Sequence, residues 1–325
     1  MEIGVISTAS IARKAFVPAV AASEHTVGAI ASRDGDRARA VADEYSIPRH
    51  HASYEALLED EGIDAVYVPL PNALHAEWTR KAADAGLDVL CEKPLAADAE
   101  EARAAVEHCR ERGVTLMEGF MYRYHPRTER AVELAREELE DVHSVSATFK
   151  FPLGDDPDDV RLSSELAGGS LMDVGCYAVS AARLFLGEPR AAFATAHDSR
   201  GAGVDTDLAG VLEFEDGSSA RVASGFDSRL VQRYRVEGEN GWIEVEDAFD
   251  APTEEPTEFA YRIDGREGVE TFDPIDQFRL EIEEFASCAA SGRSPRTDGS
   301  EAIATMRVID ALAESARKNE VVALE

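Results

Sequence analysis

The sequence predicts an α/β protein with two sheets, a parallel sheet near the N-terminus and a large, mostly antiparallel open sheet in a C-terminal α+β region. Up to about residue 121, short β-branched apolar runs alternate with alanine-rich amphipathic stretches, a pattern that produces parallel sheets. Further along, alternating strands follow one another with hairpin dipeptides between them. The length of 325 residues is that of two domains.

The first domain is expected to cover residues 1–121. Its predicted strands are 2–7, 26–32, 64–70, 87–92 and 114–119, and its predicted helices are 11–22, 35–44, 53–60, 73–85 and 98–112. Gly86 and Gly113 stand where helices end, a position that favours glycine.

The second domain is expected to cover residues 122–325. A helix at about 126–139 precedes the strand SVSATFKF, a loop rich in Asp, Pro and Gly, and a helix near 171–186. Asp216-Gly217 and Asn240-Gly241 each separate two alternating runs and predict two hairpins. Helical periodicity returns at 277–292, and the last helix, at about 299–318, is expected to pack back on the first domain.

The chain is strongly acidic. Its 64 acidic and 33 basic residues give a net charge of -31, which excludes nucleic acid as a partner. The acids are spread along the whole chain and only five basic residues are lysines, a pattern typical of a halophile's surface. The alternative is an acidic protein from a mesophile. For a halophilic surface we expect structure to be lost on desalting, because salt screens the self-repulsion.

Composition also limits location and metal chemistry. No apolar run of about 18 residues and no signal-type segment occurs, so no membrane association is expected and a cytoplasmic protein is predicted. The four cysteines are scattered and there is no His-x-x-x-His spacing. Neither a disulfide framework nor a metal site is therefore expected.

The segment GVISTASIA has the outline of a dinucleotide-binding turn, although Ser7, Ala9 and Ala12 occupy its three glycine positions. A left-handed backbone at Ser7 would cost ~1–2 kcal/mol, so a right-handed or extended conformation is expected there. Phosphate would be bound by the hydroxyls of Ser7, Thr8 and Ser10 and by the N–H groups of the turn through Ile11. The alternative is an ordinary strand-to-helix turn.

The end of the second predicted strand indicates which dinucleotide would bind. Ser32 and Arg33 occupy the place where an acidic residue would hold the ribose of NAD. Arginine pairs with a 2′-phosphate, which a carboxylate would repel, so NADP is favoured over NAD. The alternative is a solvent-exposed Arg33 that balances Asp34 and Asp36.

The most specific stretch is DVLCEKPLA, in which a predicted strand ends at Glu92-Lys93-Pro94. The carboxyl edge of a parallel sheet is where such folds bind ligands. This stretch resembles the E-K-P signature of the Gfo/Idh/MocA oxidoreductases, which have a Rossmann domain. DAVYVPLPNALHAEW, MYRYHP and GGSLMDVGCYAVSAARLFLGEP are similar to other stretches of that family, so the resemblance extends over nearly the whole chain.

The resemblance implies that Lys93 and Tyr177 carry the catalysis. Tyr177, four residues after Asp173, stands where many members have histidine. The same tyrosine is found in the branch of glucose-fructose oxidoreductase, dimeric dihydrodiol dehydrogenase and NADP-linked xylose dehydrogenases. A phenol is a poor base at neutral pH, and a nearby ammonium favours its ionised form. We therefore expect Lys93 beside Tyr177. Asp173 would orient Lys93 or a substrate hydroxyl, or would be only a helix N-terminal acid.

The same resemblance implies further cofactor contacts near the nicotinamide, namely Pro69, Leu70, Asn72, His75, Glu92 and Lys93. For His75 a capping or packing role is the equal alternative. Arg123, His125 and Arg161 are candidate substrate contacts, for which ordinary salt bridges are the alternative. The second-domain sheet would form the interface of a homodimer or homotetramer.

These observations predict an NADP-dependent oxidoreductase that acts on a sugar-like polyol or carbonyl, for example an aldose 1-dehydrogenase. One alternative is an NADP-binding regulator without turnover. Another is a different reaction on the same scaffold, either imine or enone reduction or glycoside hydrolysis with bound NAD.

Overall fold

The computed structural model of the protein describes residues 1–324, so Glu325, the last residue of the expected second domain, lies outside the described residues. The chain divides into two compact units. The first consists of Met1–Met121 and Phe278–Ile303, and the second consists of Tyr122–Gln277 and the chain from Ala304 onward.

The first unit contains a six-stranded parallel sheet in the order β3-β2-β1-β4-β5-β6. Its strands are β1 (Glu2–Ile6), β2 (Thr26–Ala31), β3 (Arg49–His51), β4 (Ala65–Val68), β5 (Asp88–Glu92) and β6 (Leu116–Gly119). The predicted parallel sheet is confirmed, but β3 was not predicted. Its sequence, RHH, has no apolar pattern. Arg49 and His51 instead hold it at the sheet edge through Asp60, at 2.7 and 2.9 Å.

Helices follow the strands of this sheet. They are a π-helical turn at Ala12–Phe16 that continues as α1 (Val17–Ala21), then α2 (Gly35–Tyr45), α3 (Tyr54–Leu58), α4 (Asn72–Asp84) and α5 (Ala99–Arg112). The side chains of Asp34, Ser53 and Asp98 cap α2, α3 and α5. Gly113, at φ +70°, ends α5 as expected.

The second unit contains a nine-stranded sheet in the order β14-β13-β12-β11-β7-β10-β9-β8-β15. Its strands are β7 (Ser144–Pro152), β8 (Ala191–His197), β9 (Asp207–Glu213), β10 (Ser219–Gly225), β11 (Asp227–Gly238), β12 (Gly241–Val245), β13 (Thr257–Ile263), β14 (Arg266–Phe272) and β15 (Val322–Ala323). All neighbours are antiparallel except β7 and β10, which confirms the predicted mostly antiparallel sheet.

Both predicted hairpins form. β9 and β10 pair across the turn that contains Asp216-Gly217. In the second hairpin Gly238 pairs with Gly241, so the loop is Glu239-Asn240 and Gly241 belongs to β12. A Cβ at Gly241 would lie 1.9 Å from the Arg262 carbonyl oxygen, so only glycine lets β13 approach this closely.

Among residues 1–324, four further α-helices follow β6. They are α6 (Pro126–Glu138), a π-helical turn at Leu171–Gly175 that continues as α7 (Cys176–Leu186), α8 (Gln277–Ser291) and α9 (Gly299–Lys318). The first eight residues of α7 are all buried, as expected for an apolar helix lying on a sheet. From Ala304 onward α9 belongs to the second unit, where Thr305 accepts a hydrogen bond from Arg183 at 2.7 Å. None of the helices described within residues 1–324 is long and apolar enough to cross a bilayer.

Candidate functional site

The turn after β1 corrects the expectation for Ser7. Its φ is +111°, in the region that favours glycine, rather than right-handed or extended. Ser7 N donates to the Ala31 carbonyl oxygen at 3.1 Å, which extends the pairing of β1 with β2, and Ser7 Oγ accepts from Ala9 N at 3.1 Å. These two hydrogen bonds hold a conformation that costs roughly 1–3 kcal/mol. The turn therefore keeps the shape of the glycine turn without the glycine.

The helix start presents backbone N–H groups. The first helical hydrogen bond runs from Arg13 N to Ala9 O at 3.2 Å, so the N–H groups of Ser10, Ile11 and Ala12 precede the hydrogen-bonded ladder. Ser10 and Ile11 are exposed, whereas Thr8 is buried. Ala12 is fully buried, so alanine serves as the third, packing position of the motif. This arrangement fits a pyrophosphate group.

Arg33 lies exposed after β2 and forms no hydrogen bond or ion pair with any residue in the range 1–324. The alternative partners are engaged elsewhere. Asp34 caps α2 by accepting from Asp36 N and Arg37 N, and the Asp36 carboxylate pairs with Arg39 at 3.2 Å. Ser32 Oγ accepts from Asp34 N at 3.1 Å, which shapes the loop. Arg33 is therefore available to an anion.

The Glu92-Lys93-Pro94 turn is fixed from several sides. Tyr67 Oη donates to Glu92 Oε1 at 2.6 Å, and the Tyr67 ring stacks on Phe16 with centroids 3.8 Å apart. After the turn, Leu95 N donates to the buried Glu118 carboxylate at 2.8 Å. The Lys93–Pro94 peptide bond is cis. Lys93 itself is half-buried at the carboxyl end of β5, as the sequence predicted.

His75 joins this turn to the preceding loop. It is 1% exposed, with Nδ1 2.7 Å from the Pro94 carbonyl oxygen and Nε2 2.7 Å from the Leu70 carbonyl oxygen. Burial lowers the pKa of His75 to about 4, although the two carbonyl oxygens favour the protonated ring. Of the two expected roles, the contacts support packing. His75 thereby holds the loop that contains Pro69 and Leu70 and the start of α4 at Asn72.

In the second unit, Tyr177 lies in the first turn of α7 within an aromatic cluster. Its ring centroid lies 5.4 Å from those of Phe149 and Phe249 and 5.9 Å from that of Tyr122. Tyr122 in turn shares a 2.7 Å hydrogen bond with Ser180 Oγ, one turn further along α7. Sheet, helix and loop therefore all fix the direction of the Tyr177 ring.

Asp173 and Arg161, both predicted from the sequence, are brought together. Arg161 Nε donates to Asp173 Oδ2 at 2.9 Å, and Arg161 Nη1 donates to Asp159 at 3.2 Å. Asp173 is the leading cause of the raised pKa of Arg161. Asp173 is thus an ion-pair partner one turn before Tyr177, and the guanidinium of Arg161 remains partly exposed.

The contacts of His125, a candidate substrate contact, favour a capping role. This residue is 1% exposed, and its Nδ1 caps α6 by accepting from Arg127 N at 3.0 Å. Burial lowers the pKa of His125 to about 4. Arg123 lies half-buried in a 3₁₀ turn at Met121–Tyr124.

Sequence reasoning missed the residues that hold Phe249 against Tyr177. Arg127 donates to the Glu246 and Asp247 carbonyl oxygens at 3.1 and 2.6 Å, and Gln232 Oε1 accepts from Phe249 N and Asp250 N. A buried arginine bound to backbone carbonyl oxygens has no local sequence signal. Only the pairing of distant segments reveals it.

Two family models match the chain. The model described as oxidoreductase family, NAD-binding Rossmann fold matches residues 1–120, and the GFO/IDH/MocA C-terminal domain matches residues 131–244. The chain is 54% identical over 325 residues, covering 100% of both chains, to D-xylose 1-dehydrogenase (NADP(+)) 2 of Haloferax volcanii. The chain belongs to the GFO/IDH/MocA oxidoreductase family.

Solved structures agree with this assignment. A 3-ketoreductase from Actinomadura kijaniata, in complex with NADP and TDP-benzene, superposes with a TM-score of 0.91 at 32% identity and 97% coverage of both chains. Aldose-aldose oxidoreductase from Caulobacter crescentus, complexed with glycerol, superposes with a TM-score of 0.92 at 30% identity, covering 100% of this chain and 99% of the other. The resemblance drawn from the sequence is therefore confirmed.

Metal ligands do not cluster in the part of the chain that the structure describes. A search of residues 1–324 finds no group of three or more His, Cys, Asp or Glu side chains able to hold an ion.

Proposed function

We propose that this family member is an NADP-dependent sugar dehydrogenase that oxidises an aldose at C1, with D-xylose as the first candidate substrate. The observation that carries this proposal is the 54% identity, over the whole length of both chains, to an NADP-dependent D-xylose 1-dehydrogenase. Glycerol and NADP in the related crystal structures support a polyol substrate and this cofactor.

The residues of the first unit fit NADP. Ser7 reproduces the positive φ of the first glycine of the motif, which forms the tight turn, and the helix start supplies N–H groups outside the helical ladder. Arg33 has no ionic partner among residues 1–324 and would bind the 2′-phosphate, whereas an NAD ribose would call for a carboxylate at this place. Pro69, Leu70, Asn72 and Glu92 would contact the nicotinamide end. When bound, the nicotinamide supplies the hydride acceptor.

The protein's own part in the reaction is proton transfer and orientation. The Lys93 ammonium would favour the phenolate form of Tyr177, whose Oη takes the proton of the substrate hydroxyl and becomes the neutral phenol. The same ammonium would stabilise the negative charge that develops on the substrate oxygen. Positioned proton transfer of this kind contributes ~10²- to 10⁴-fold. The aromatic cluster around Tyr177 keeps water from the ring and fixes its direction.

Asp173 and Arg161 complete the substrate side of the proposal. The ion pair at 2.9 Å fixes both side chains, so that the exposed part of the guanidinium donates to sugar hydroxyls. The two carboxylates of Asp159 and Asp173 outweigh the single positive charge of Arg161, which disfavours an anionic substrate and favours a neutral aldose. Arg123 is a further candidate donor.

The direct test is turnover. The protein is purified in molar KCl and mixed with NADP⁺ or NAD⁺ and a panel of aldoses, and reduced-nicotinamide absorbance is followed. We expect turnover with NADP⁺ and a pentose, and we expect Lys93→Ala to lose it. The control is Lys81→Ala, which should retain turnover because the Lys81 ammonium pairs with Glu77 on α4. Absence of a signal with every sugar in both directions would favour the regulator. A cofactor that stays bound through gel filtration, together with glycoside hydrolysis, would favour the glycosidase.

We also propose a halophilic, cytoplasmic homo-oligomer. The net charge of -31 supports the halophilic surface, and four buried free thiols suit a reducing compartment. On the exposed face of the nine-stranded sheet, Phe193 and Val211 are direct cross-strand neighbours and are 36% and 45% exposed. Light scattering in molar KCl should give a dimer or tetramer mass, and a monomer would contradict the oligomer.

A further inference from the structure

A buried carboxylate outside the proposed chemistry holds the start of the Tyr177 helix. Asp205 Oδ2 accepts hydrogen bonds from Ser170 Oγ at 2.6 Å and from Leu171 N at 2.8 Å. The backbone oxygen of Asp205 accepts from Ser170 N at 2.8 Å. Three donors at the beginning of one helical segment, 170–186, are therefore satisfied by a single residue from the loop before β9. This segment carries Asp173 and Tyr177.

A hydroxyl chain ties the same point to the sheet. Ser170 Oγ lies 2.9 Å from Ser224 Oγ on β10, and both side chains are fully buried. Because the single proton of Ser170 is donated to Asp205, Ser224 donates to Ser170. The helix start, the loop and the strand are thus joined by one connected set of hydrogen bonds.

The fit around Asp205 is close. Gly169 has a φ of +109°, and a Cβ there would lie 2.4 Å from Asp205 Oδ1. Only glycine combines this backbone conformation with this approach. Burial raises the pKa of Asp205, since no cation in the range 1–324 pairs with its carboxylate. Burying an unpaired carboxylate costs stability, which the donors and the positive helix end offset.

We propose that Asp205 is a positioning residue for Tyr177. It fixes the beginning of the helical segment, and this sets where the phenol of Tyr177, seven residues after Ser170, is presented to substrate. The inference deepens the proposed function and rests on it. Displacement of a reacting group by about 1 Å costs roughly 10²-fold in rate, so a small tilt at the helix start is enough to be measured.

The test compares Asp205→Asn with Asp216→Asn. Asp216 makes nearly the same contacts, accepting from Ser218 N at 2.9 Å and from Ser218 Oγ at 2.6 Å, but at the opposite end of the β9–β10 hairpin from Ser224. In Asp205→Asn we expect kcat at saturating NADP⁺ to fall by roughly 10- to 10²-fold with an unchanged Kd for NADP⁺. We also expect the limb of the kcat profile that reports Tyr177 to move to higher pH. Asp216→Asn should leave both unchanged.

A milder pair keeps the test informative if Asp205→Asn does not fold. Ser170→Ala removes one donor and should lower kcat in the same direction by a smaller factor. Combined with Asp205→Asn it should add little, because the two residues share one hydrogen bond. The proposal would be overturned if folded Asp205→Asn had the wild-type kcat and an unshifted pH limb. If Asp205→Asn is unfolded, the same result in Ser170→Ala would overturn it.

Amide hydrogen exchange separates this inference from the proposed function, because it needs no turnover. Asp205→Asn should lose protection in residues 171–177, and Asp216→Asn should not. If the wild-type protein oxidises no sugar, the proposed function fails, whereas loss of protection confined to 171–177 still supports positioning. Unchanged protection in that segment would overturn it.

Discussion

His75 should make the first unit sensitive to mild acid. Its pKa is lowered by burial from 6.5 to about 4 in the folded protein. Because the folded state resists the proton that the unfolded chain binds, this contribution to stability is present at pH 7 and is lost as the pH falls from 6.5 toward 4. At pH 5, about 1.5 pH units below 6.5, the histidine of the unfolded chain is protonated whereas that of the folded protein stays mostly neutral. At ~1.4 kcal/mol per unit, the free energy of unfolding therefore falls by about 2 kcal/mol.

The assay compares the wild-type side chain with His75→Asn and His50→Asn in a Trp242→Phe background. The chain has two tryptophans, so the remaining Trp78 reports on the first unit by fluorescence. Urea unfolding in molar KCl is measured at pH 7 and at pH 5. His75→Asn should be less stable at pH 7, because a backbone carbonyl oxygen loses its donor at a cost of ~1–3 kcal/mol. Its loss between pH 7 and pH 5 should be smaller than the wild-type loss by about 2 kcal/mol.

The control variant measures how much stability the rest of the chain loses between pH 7 and pH 5. His50 is exposed, so His50→Asn should show the same loss between pH 7 and pH 5 as the wild-type protein. Equal pH dependence in His75→Asn and His50→Asn would refute the reasoning, since it would mean that His75 takes up its proton as readily in the folded protein as in the unfolded chain.

Three further predictions use matched controls. Arg33→Gln should weaken NADP⁺ binding about tenfold with little effect on NAD⁺ binding. Arg39→Gln should change neither Kd, because the Arg39 guanidinium pairs with Asp36. Equal weakening of the binding of both cofactors in Arg33→Gln would contradict a 2′-phosphate contact. Gly241→Ala should destabilise the second unit by ~1–3 kcal/mol in thermal unfolding, because the added Cβ would meet the Arg262 carbonyl oxygen. Gly154→Ala is the control, since a Cβ at Gly154 would lie in open space. Similar melting temperatures for the two variants would be inconsistent with the β12–β13 contact. Dilution from about 1 M KCl, where the Debye length is ~3 Å, into dilute buffer should abolish the helix and sheet bands of the circular dichroism spectrum. An unchanged spectrum would argue against a halophilic surface.

Local pattern was enough to predict the elements whose apolar side chains are buried. The five apolar strands of the first sheet and the Asp216-Gly217 hairpin follow from periodicity and turn chemistry alone. β3 was missed because its three residues, RHH, are held by side-chain hydrogen bonds to Asp60 rather than by apolar burial. Periodicity carries no information about such a strand.

In the candidate site too, local motifs predicted some residues and tertiary contacts fix the others. The turn containing Lys93 was predicted from a motif, and so was the helix containing Tyr177. The positive φ of Ser7 was not predicted, because the intrinsic cost of a left-handed serine was weighed without the hydrogen bonds that Ala31 and Ala9 form with it. Asp205 escaped notice for a related reason, since its partner Ser170 is 35 residues away in the sequence. Tertiary contacts, rather than local preference, decide such positions.

We propose above all that Tyr177 and Lys93 act together on one substrate hydroxyl, with NADP⁺ as the oxidant. Single-turnover formation of reduced nicotinamide, measured at saturating NADP⁺ and pentose in wild type, Tyr177→Phe, Lys93→Met and the double variant, tests it most directly. We expect each single variant to be ~10²- to 10⁴-fold slower with cofactor Kd unchanged, and the double variant to be hardly slower than either. Tyr177→Phe turning over at the wild-type rate, or losses that multiply in the double variant, would contradict it.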